Sequence, residues 1–301
     1  MIICVGSVFL DHIVKIDTFP KKPIKVLAQG IEKRLGGSAA VASFTIKKLG
    51  INTSFIGRLG DDDASKFLKN ELKKLKIKHN NIVEIKGVKS SQSFVYEDKQ
   101  GERLLAAFSE KKLLNNKKLP KIVFKKNTTI MSDLRWVEAT LYIAKNCNKN
   151  NLNHIVDLDN YKLNTKIKQI IDLSSHLIFS ETGAFEYTKI KSIIGSLKRM
   201  YSIRKKFYAI TAGKKGVYWI ENGNIFNCKP PKIKVVETNC AGDVFHGAFA
   251  AFFHQKYSVM ESMQLATATA SLKCTKKGGI YSLPSYSSVK KFGKKIQVRK
   301  I

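Results

Sequence analysis

One segment concentrates the residue types that do chemistry: Val235-Val236-Glu237-Thr238-Asn239-Cys240-Ala241-Gly242-Asp243-Val244-Phe245-His246-Gly247-Ala248-Phe249. An extended apolar pair leads through small residues into an apolar helix, expected over Ala241–Phe253. The first N–H groups of a helix have no partner within it. With the positive end of the helix dipole they stabilise an anion such as a transferring phosphoryl group. Asp243 falls at this helix start. It could cap the helix, or it could take the proton from an attacking hydroxyl, since base and anion hole then converge on one reaction coordinate. Spacing alone leaves both readings open.

The elements that must position this segment follow an alternating pattern. Short apolar strands are expected at 1–10, Thr53–Ile56, Thr129–Ser132, His154–Asp157, Leu177–Phe179 and Tyr208–Thr211. Between them lie helical stretches such as Ser38–Leu49, ended by Gly50, and Ala64–Leu75, capped by Asp61 to Asp63. That alternation predicts an α/β fold with a mostly parallel sheet covered on both faces. Residues 12–34 and 88–108 break it: they are extended and too polar for central strands, with a hairpin expected at Asp98–Gly101. They predict a small antiparallel layer, a lid, on a single domain spanning 1–301.

Composition narrows the function classes. The 301 residues carry a net charge of +31, which raises nucleic acid or an anionic membrane as partners. Yet only seven of the 54 basic residues are Arg, and dispersed Lys makes a solvated face rather than a reader of bases. No apolar run approaches the roughly 18 residues of a membrane span. Cys4, Cys147, Cys228, Cys240 and Cys274 show neither zinc nor disulfide spacing, which fits a reducing cytoplasm.

The segment ending in Asp243 resembles the C-terminal signature of the PfkB, or ribokinase-like, carbohydrate kinases, commonly Asp-Thr-x-Gly-Ala-Gly-Asp before an apolar helix. The resemblance implies a three-layer ribokinase-like fold, ATP and Mg²⁺, and transfer of the γ-phosphate to a sugar hydroxyl. It implies Asp243 as the base and Cys240, Ala241 and Gly242 as the anion hole, with Glu237 and Cys240 replacing the family's first Asp and first Gly. Gly36-Gly37-Ser38-Ala39-Ala40 is similar to the N-terminal glycine signature, where backbone approaches the sugar, and Val41 stands where an Asn is frequent. Asp11 matches an Asp that accepts hydrogen bonds from acceptor hydroxyls. The turn Gly57–Asp62 also matches, in a structural role. Toward the nucleotide, Thr211, Gly213 and Gly216 resemble a phosphate- and ribose-binding turn, and Gly278 a loop near the adenine. Ser180 and Gly183 occupy the Asn and Glu positions of an Asn-x-x-Glu motif, which leaves Glu181 as the metal-associated carboxylate.

Within the family, Ser90–Ser93, Gly101–Arg103, Asp133–Trp136 and Ser271–Thr275 resemble the sulfofructose kinase branch. That resemblance implies Lys25 on the lid and Arg135 after a central strand as holders of an anionic group, with Ala107 in place of an assisting Asn. Arg135 could alternatively pair with Asp133 or Glu138. Two other readings remain. A nucleoside kinase of the same fold would use Phe94 or Phe108 as a base platform, and a catalytically weak sugar- or nucleotide-binding regulator is compatible with the altered motifs. The exposed edges of a lid predict a homodimer.

Overall fold

A computed structural model describes residues 1–100 and 102–301. The expected hairpin turn at Asp98–Gly101 includes Gly101, which lies outside the described residues. The chain opens with β1 (Ile2–Val5), β2 (Phe9–Lys15), β3 (Gly30–Gly36), α1 (Ser38–Lys48), β4 (Thr53–Ile56), β5 (Arg58–Leu59) and α2 (Asp63–Lys74). β6 (Val83–Glu84), β7 (Gln92–Glu97), β8 (Arg103–Phe108), the short α3 (Lys111–Leu114), β9 (Thr129–Asp133), α4 (Val137–Lys149) and β10 (Asn153–Leu158) follow. The second half contributes α5 (Thr165–Leu173), β11 (His176–Ser180), α6 (Glu181–Thr188), α7 (Ile193–Ile203), β12 (Phe207–Thr211), β13 (Val217–Glu221) and β14 (Asn224–Cys228). It closes with α8 (Ala241–His254), α9 (Val259–Cys274), α10 (Tyr286–Gly293) and β15 (Val298–Lys300).

Nine strands form the central sheet, in the order β15-β14-β13-β12-β11-β10-β9-β1-β4. From β4 to β12 every pairing is parallel, and β13, β14 and β15 extend the sheet antiparallel. Side chains alternate across it. Ile2, Cys4, Met131, Ile155 and Ile178 pack on one face with α1, α8 and α9. Ile3, Val5, Val156, Leu177 and Phe179 pack on the other with α4, α5 and α7. Parallel register brings the carboxyl ends of β1, β9, β10, β11 and β12 to one edge, where open α/β sheets hold their ligands.

Three expectations need correction. Residues 1–10 are not one strand: Gly6-Ser7-Val8 interrupts the run, and Phe9 and Leu10 already belong to the small sheet. An apolar run carries no mark of a sharp change of direction, and Gly6 with φ near 153° supplies it. The small sheet, ordered β3-β2-β7-β8, is not wholly antiparallel either. β2 pairs parallel with β7, because α1 through β6 intervene and return the chain from the same end. Residues 16–29, expected to be extended, form no strand. No helix of the described residues is long and apolar enough to cross a membrane.

Candidate active site

A cleft of about 650 Å³ lies between the carboxyl edge of the central sheet and the small sheet, with Asp243, Cys240, Asn239, Ser38, Gly37, Asp11 and Arg135 on its wall. Its floor is built on Asp133 at the end of β9. One carboxylate oxygen accepts from the Ser7 N–H (2.8 Å), the Ser7 hydroxyl (2.6 Å) and the Ala39 N–H (3.2 Å). The other accepts from the Arg135 N–H at 2.9 Å. One buried carboxylate thus joins the β1–β2 turn, the start of α1 and the loop carrying Arg135. Nothing in the sequence marks Asp133 as this hub. Its place at a strand end is its only sequence signal, and the carboxylate binds the Arg135 N–H rather than the Arg135 side chain.

The glycines of the N-terminal signature are explained by close approach. A Cβ on Gly36 would enter the Asp11 carboxylate, and one on Gly37, whose φ is 93°, would lie 2.7 Å from the Ser7 carbonyl. Gly36 therefore makes room for Asp11, while Gly37 borders the cleft. The Asp11 carboxylate accepts from the Ser93 hydroxyl at 2.6 Å. Burial pushes its pKa up to about 6, against the opposing pull of Ser93, His12 and Arg34.

At the opposite wall α8 starts from Cys240, whose φ of 59° is left-handed. A non-glycine residue there costs roughly 1–2 kcal/mol, and the surrounding loop supplies the restraint. Ala241 differs from expectation. Its N–H donates to the Thr238 carbonyl at 3.2 Å and is spent, whereas the N–H groups of Cys240, Gly242 and Asp243 have no backbone partner among the described residues. Of the amides expected to face an anion, those of Cys240 and Gly242 are thus free of backbone partners, that of Asp243 joins them, and that of Ala241 is engaged. Burial and the neighbouring carboxylates of Asp243 and Asp11 push the Cys240 thiol far up, which disfavours its thiolate.

Asp243 has the environment of a base. Burial, then the nearby Asp157, raises its pKa to about 7, while a hydrogen bond from Ser38 and the proximity of His246 pull it back. His246 contributes through packing. Its Nδ1 lies 2.8 Å from the Gly242 carbonyl, its Nε2 lies 3.5 Å from an Asp157 oxygen, and burial lowers its pKa.

Arg135 is exposed to the cleft, and among the described residues its guanidinium pairs with neither Asp133 nor Glu138. Arg58 stands beside it. Its guanidinium holds the Leu114 and Arg135 carbonyls at 2.8 and 3.0 Å and lies 4.8 Å from the centre of the Trp136 ring. Burial lowers the Arg58 pKa to about 10. Lys25 is not brought here. It is exposed in the 16–29 loop and does not line the cleft, so Arg58 is the second cation where Lys25 was expected. Phe94 and Phe108 are not at the cleft either. Ser93 and Ala107 point in, and by strand alternation Phe94 and Phe108 point out, Phe94 stacking on His12 at 4.7 Å.

The residues expected at the nucleotide lie farther along the same edge. Thr211 ends β12 opposite Ser180 at the end of β11, and Gly213 and Gly216 turn the chain with positive φ. Glu181, at the start of α6, meets Lys215 of that turn at 3.0 Å. Gly278 is tied to the loop that leads into α8, its N–H donating to a Glu237 oxygen at 2.9 Å and that of Gly279 to the other at 2.9 Å. Burial opposes the Glu237 charge, but Lys273, the Gly278 N–H and Arg34 outweigh it and hold the carboxyl below the usual range.

Comparison with known proteins gives a consistent picture. The family model described as pfkB family carbohydrate kinase matches residues 1–286. A ribokinase of Haemophilus influenzae is 23% identical over 304 residues, covering 95% of this chain and 96% of the relative. A nucleoside kinase of Methanocaldococcus jannaschii is 24% identical over 304 residues, covering 96% and 95%. Among solved structures, Arabidopsis thaliana ribokinase complexed with ribose and ATP superposes with a TM-score of 0.81 at 23% identity, over 97% of this chain and 98% of that one.

Proposed function

This chain belongs to the pfkB family of carbohydrate kinases, and from that premise we propose that it transfers the γ-phosphoryl group of ATP to a hydroxyl of a sugar bearing an anionic group. The observation that carries the proposal is that Asp243 and Cys240, at a helix start whose Cys240, Gly242 and Asp243 N–H groups have no backbone partner among the described residues, line one cleft with Arg58 and Arg135. Asp11 accepts from acceptor hydroxyls and orients them. Asp243 removes the proton of the attacking hydroxyl, and the α8 amides neutralise charge on the transferring group.

ATP would lie along the neighbouring edge, with Thr211, Gly213 and Gly216 at its phosphates and ribose. Magnesium brought by the nucleotide would screen the phosphate charge. Among the described residues no cluster of three or more His, Cys, Asp or Glu could hold a metal alone. That donor set fits an ion that would be held mainly by phosphates and water, with Glu181 as the carboxylate that would meet its hydration shell. Five free cysteines fit a reducing compartment, and we assign the enzyme to the cytoplasm.

A screen for ADP release over neutral ketoses, phospho-, sulfo- and carboxy-sugars, and nucleosides tests the proposal. Acceptor-dependent turnover should be highest with an anionic sugar. A nucleoside outpacing every sugar would favour the nucleoside kinase reading instead, and an absence of turnover with all acceptors would favour a binding protein.

We also propose that the lid pairs with a second copy. Its outer face exposes Ile31, Phe94, Leu104 and Phe108, and β3 and β8 leave unpaired edges. Such a surface is covered at low cost by an identical one. Sedimentation at micromolar concentration should give twice the 33.8 kDa chain mass. A monomer there would refute the pairing.

A further inference from the structure

Lysine dominates the surface, yet among the described residues one lysine is buried: Lys273 on α9, with no exposed side-chain area. Taking an ammonium out of water is costly unless each of its N–H groups finds an oxygen. Here three donors meet three acceptors: the Glu237 carbonyl (3.2 Å), Glu237 Oε1 (3.2 Å) and the Asn239 carbonyl. All three belong to the loop that runs directly into Cys240 and α8.

The geometry has a consequence for the anion hole. In a trans peptide the carbonyl and the following N–H point in opposite directions. With the Glu237 and Asn239 carbonyls turned onto the ammonium, the Thr238 and Cys240 N–H groups face away from it, and Cys240 borders the cleft. Glu237 then spreads its carboxylate over the Gly278 and Gly279 amides, which fixes the loop from the other side.

We propose that Lys273 is a tethered monovalent cation and a positioning residue: its ammonium sets the peptide planes that aim the anion hole. Removing it leaves two carbonyls and a carboxylate around a cation-sized space, a donor set that free ammonium or potassium would fill. The catalytic part of this inference rests on the kinase reading, and the cation-binding part does not.

The test compares wild type with Lys273→Met in tetramethylammonium chloride and after its replacement by ammonium or potassium chloride at constant ionic strength. Turnover and thermal midpoint are both followed. Wild type should be indifferent to the exchange in both. The variant should lose roughly a hundredfold in kcat, as on losing an anion-hole donor, with acceptor KM little changed. Ammonium or potassium should then raise its thermal midpoint and restore part of kcat. A variant with wild-type kcat, or one whose midpoint ignores the cation, overturns the proposal, as does a wild type that needs ammonium or potassium for turnover. If the variant does not fold, the wild-type arm decides. Wild type inactive with every acceptor would count against the kinase reading, while cation-dependent melting of the variant would still support the tethered cation.

Discussion

Asp243→Asn should lower kcat at least about a hundredfold while acceptor and nucleotide still bind. The amide matches the carboxylate in shape but cannot take the proton of the attacking hydroxyl. Asn and Asp serve comparably at helix starts, so the loss cannot be assigned to a missing cap. Burial and Asp157 already disfavour the Asp243 charge, so removing it should leave the melting temperature unchanged or raise it. Steady-state ADP release, with calorimetric binding of both substrates, separates the outcomes. Near-normal turnover would return Asp243 to the capping role.

Arg135→Ala should act on selectivity. In wild type an anionic sugar should gain charge-assisted hydrogen bonds of about 1.5–3 kcal/mol each, which a neutral ketose would forgo. Anionic acceptors should therefore lead in kcat/KM by roughly ten- to a hundredfold per bond. The Ala variant should lose most of that lead and change little toward neutral ketoses. Arg58 is a poor substitute, because its donors already hold the Leu114 and Arg135 carbonyls. Equal efficiency on both acceptor classes, untouched by Arg135→Ala, would remove the anionic acceptor from the account.

Much of this site is legible in the chain because its chemistry is local. The run from Glu237 to Asp243 specifies a loop, an unpaired helix start and a carboxylate within a few residues, and the structure keeps them together. Strands such as Thr53–Ile56 were equally plain, their apolar residues bounded by polar turns. What escaped depends on residues far apart in sequence. Asp133 gathers Ser7 and Ala39 from more than ninety positions away, and Lys273 reaches Glu237 across thirty-six. A lysine among so many lysines carries no local sign that it is buried. Lys25 misled for a related reason: its place came from resemblance, while the 16–29 loop holds it outside the cleft. Ala241 shows the limit of motif reading, since one turn hydrogen bond to Thr238 decides which amides remain free.

The pH dependence of kcat/KM for the acceptor, at saturating ATP and magnesium, tests the central role of Asp243 most directly. The profile reports ionisations of the enzyme awaiting its acceptor. To act as the base Asp243 would have to be ionised, and burial with the nearby Asp157 pushes its pKa up to about 7. As pH falls through about 7 the protonated fraction grows, and kcat/KM should drop roughly tenfold per unit. This limb should be absent from the residual activity of Asp243→Asn. A wild-type profile flat from about pH 5.5 to 8, or a limb that persists unchanged in Asp243→Asn, would contradict Asp243 as the base.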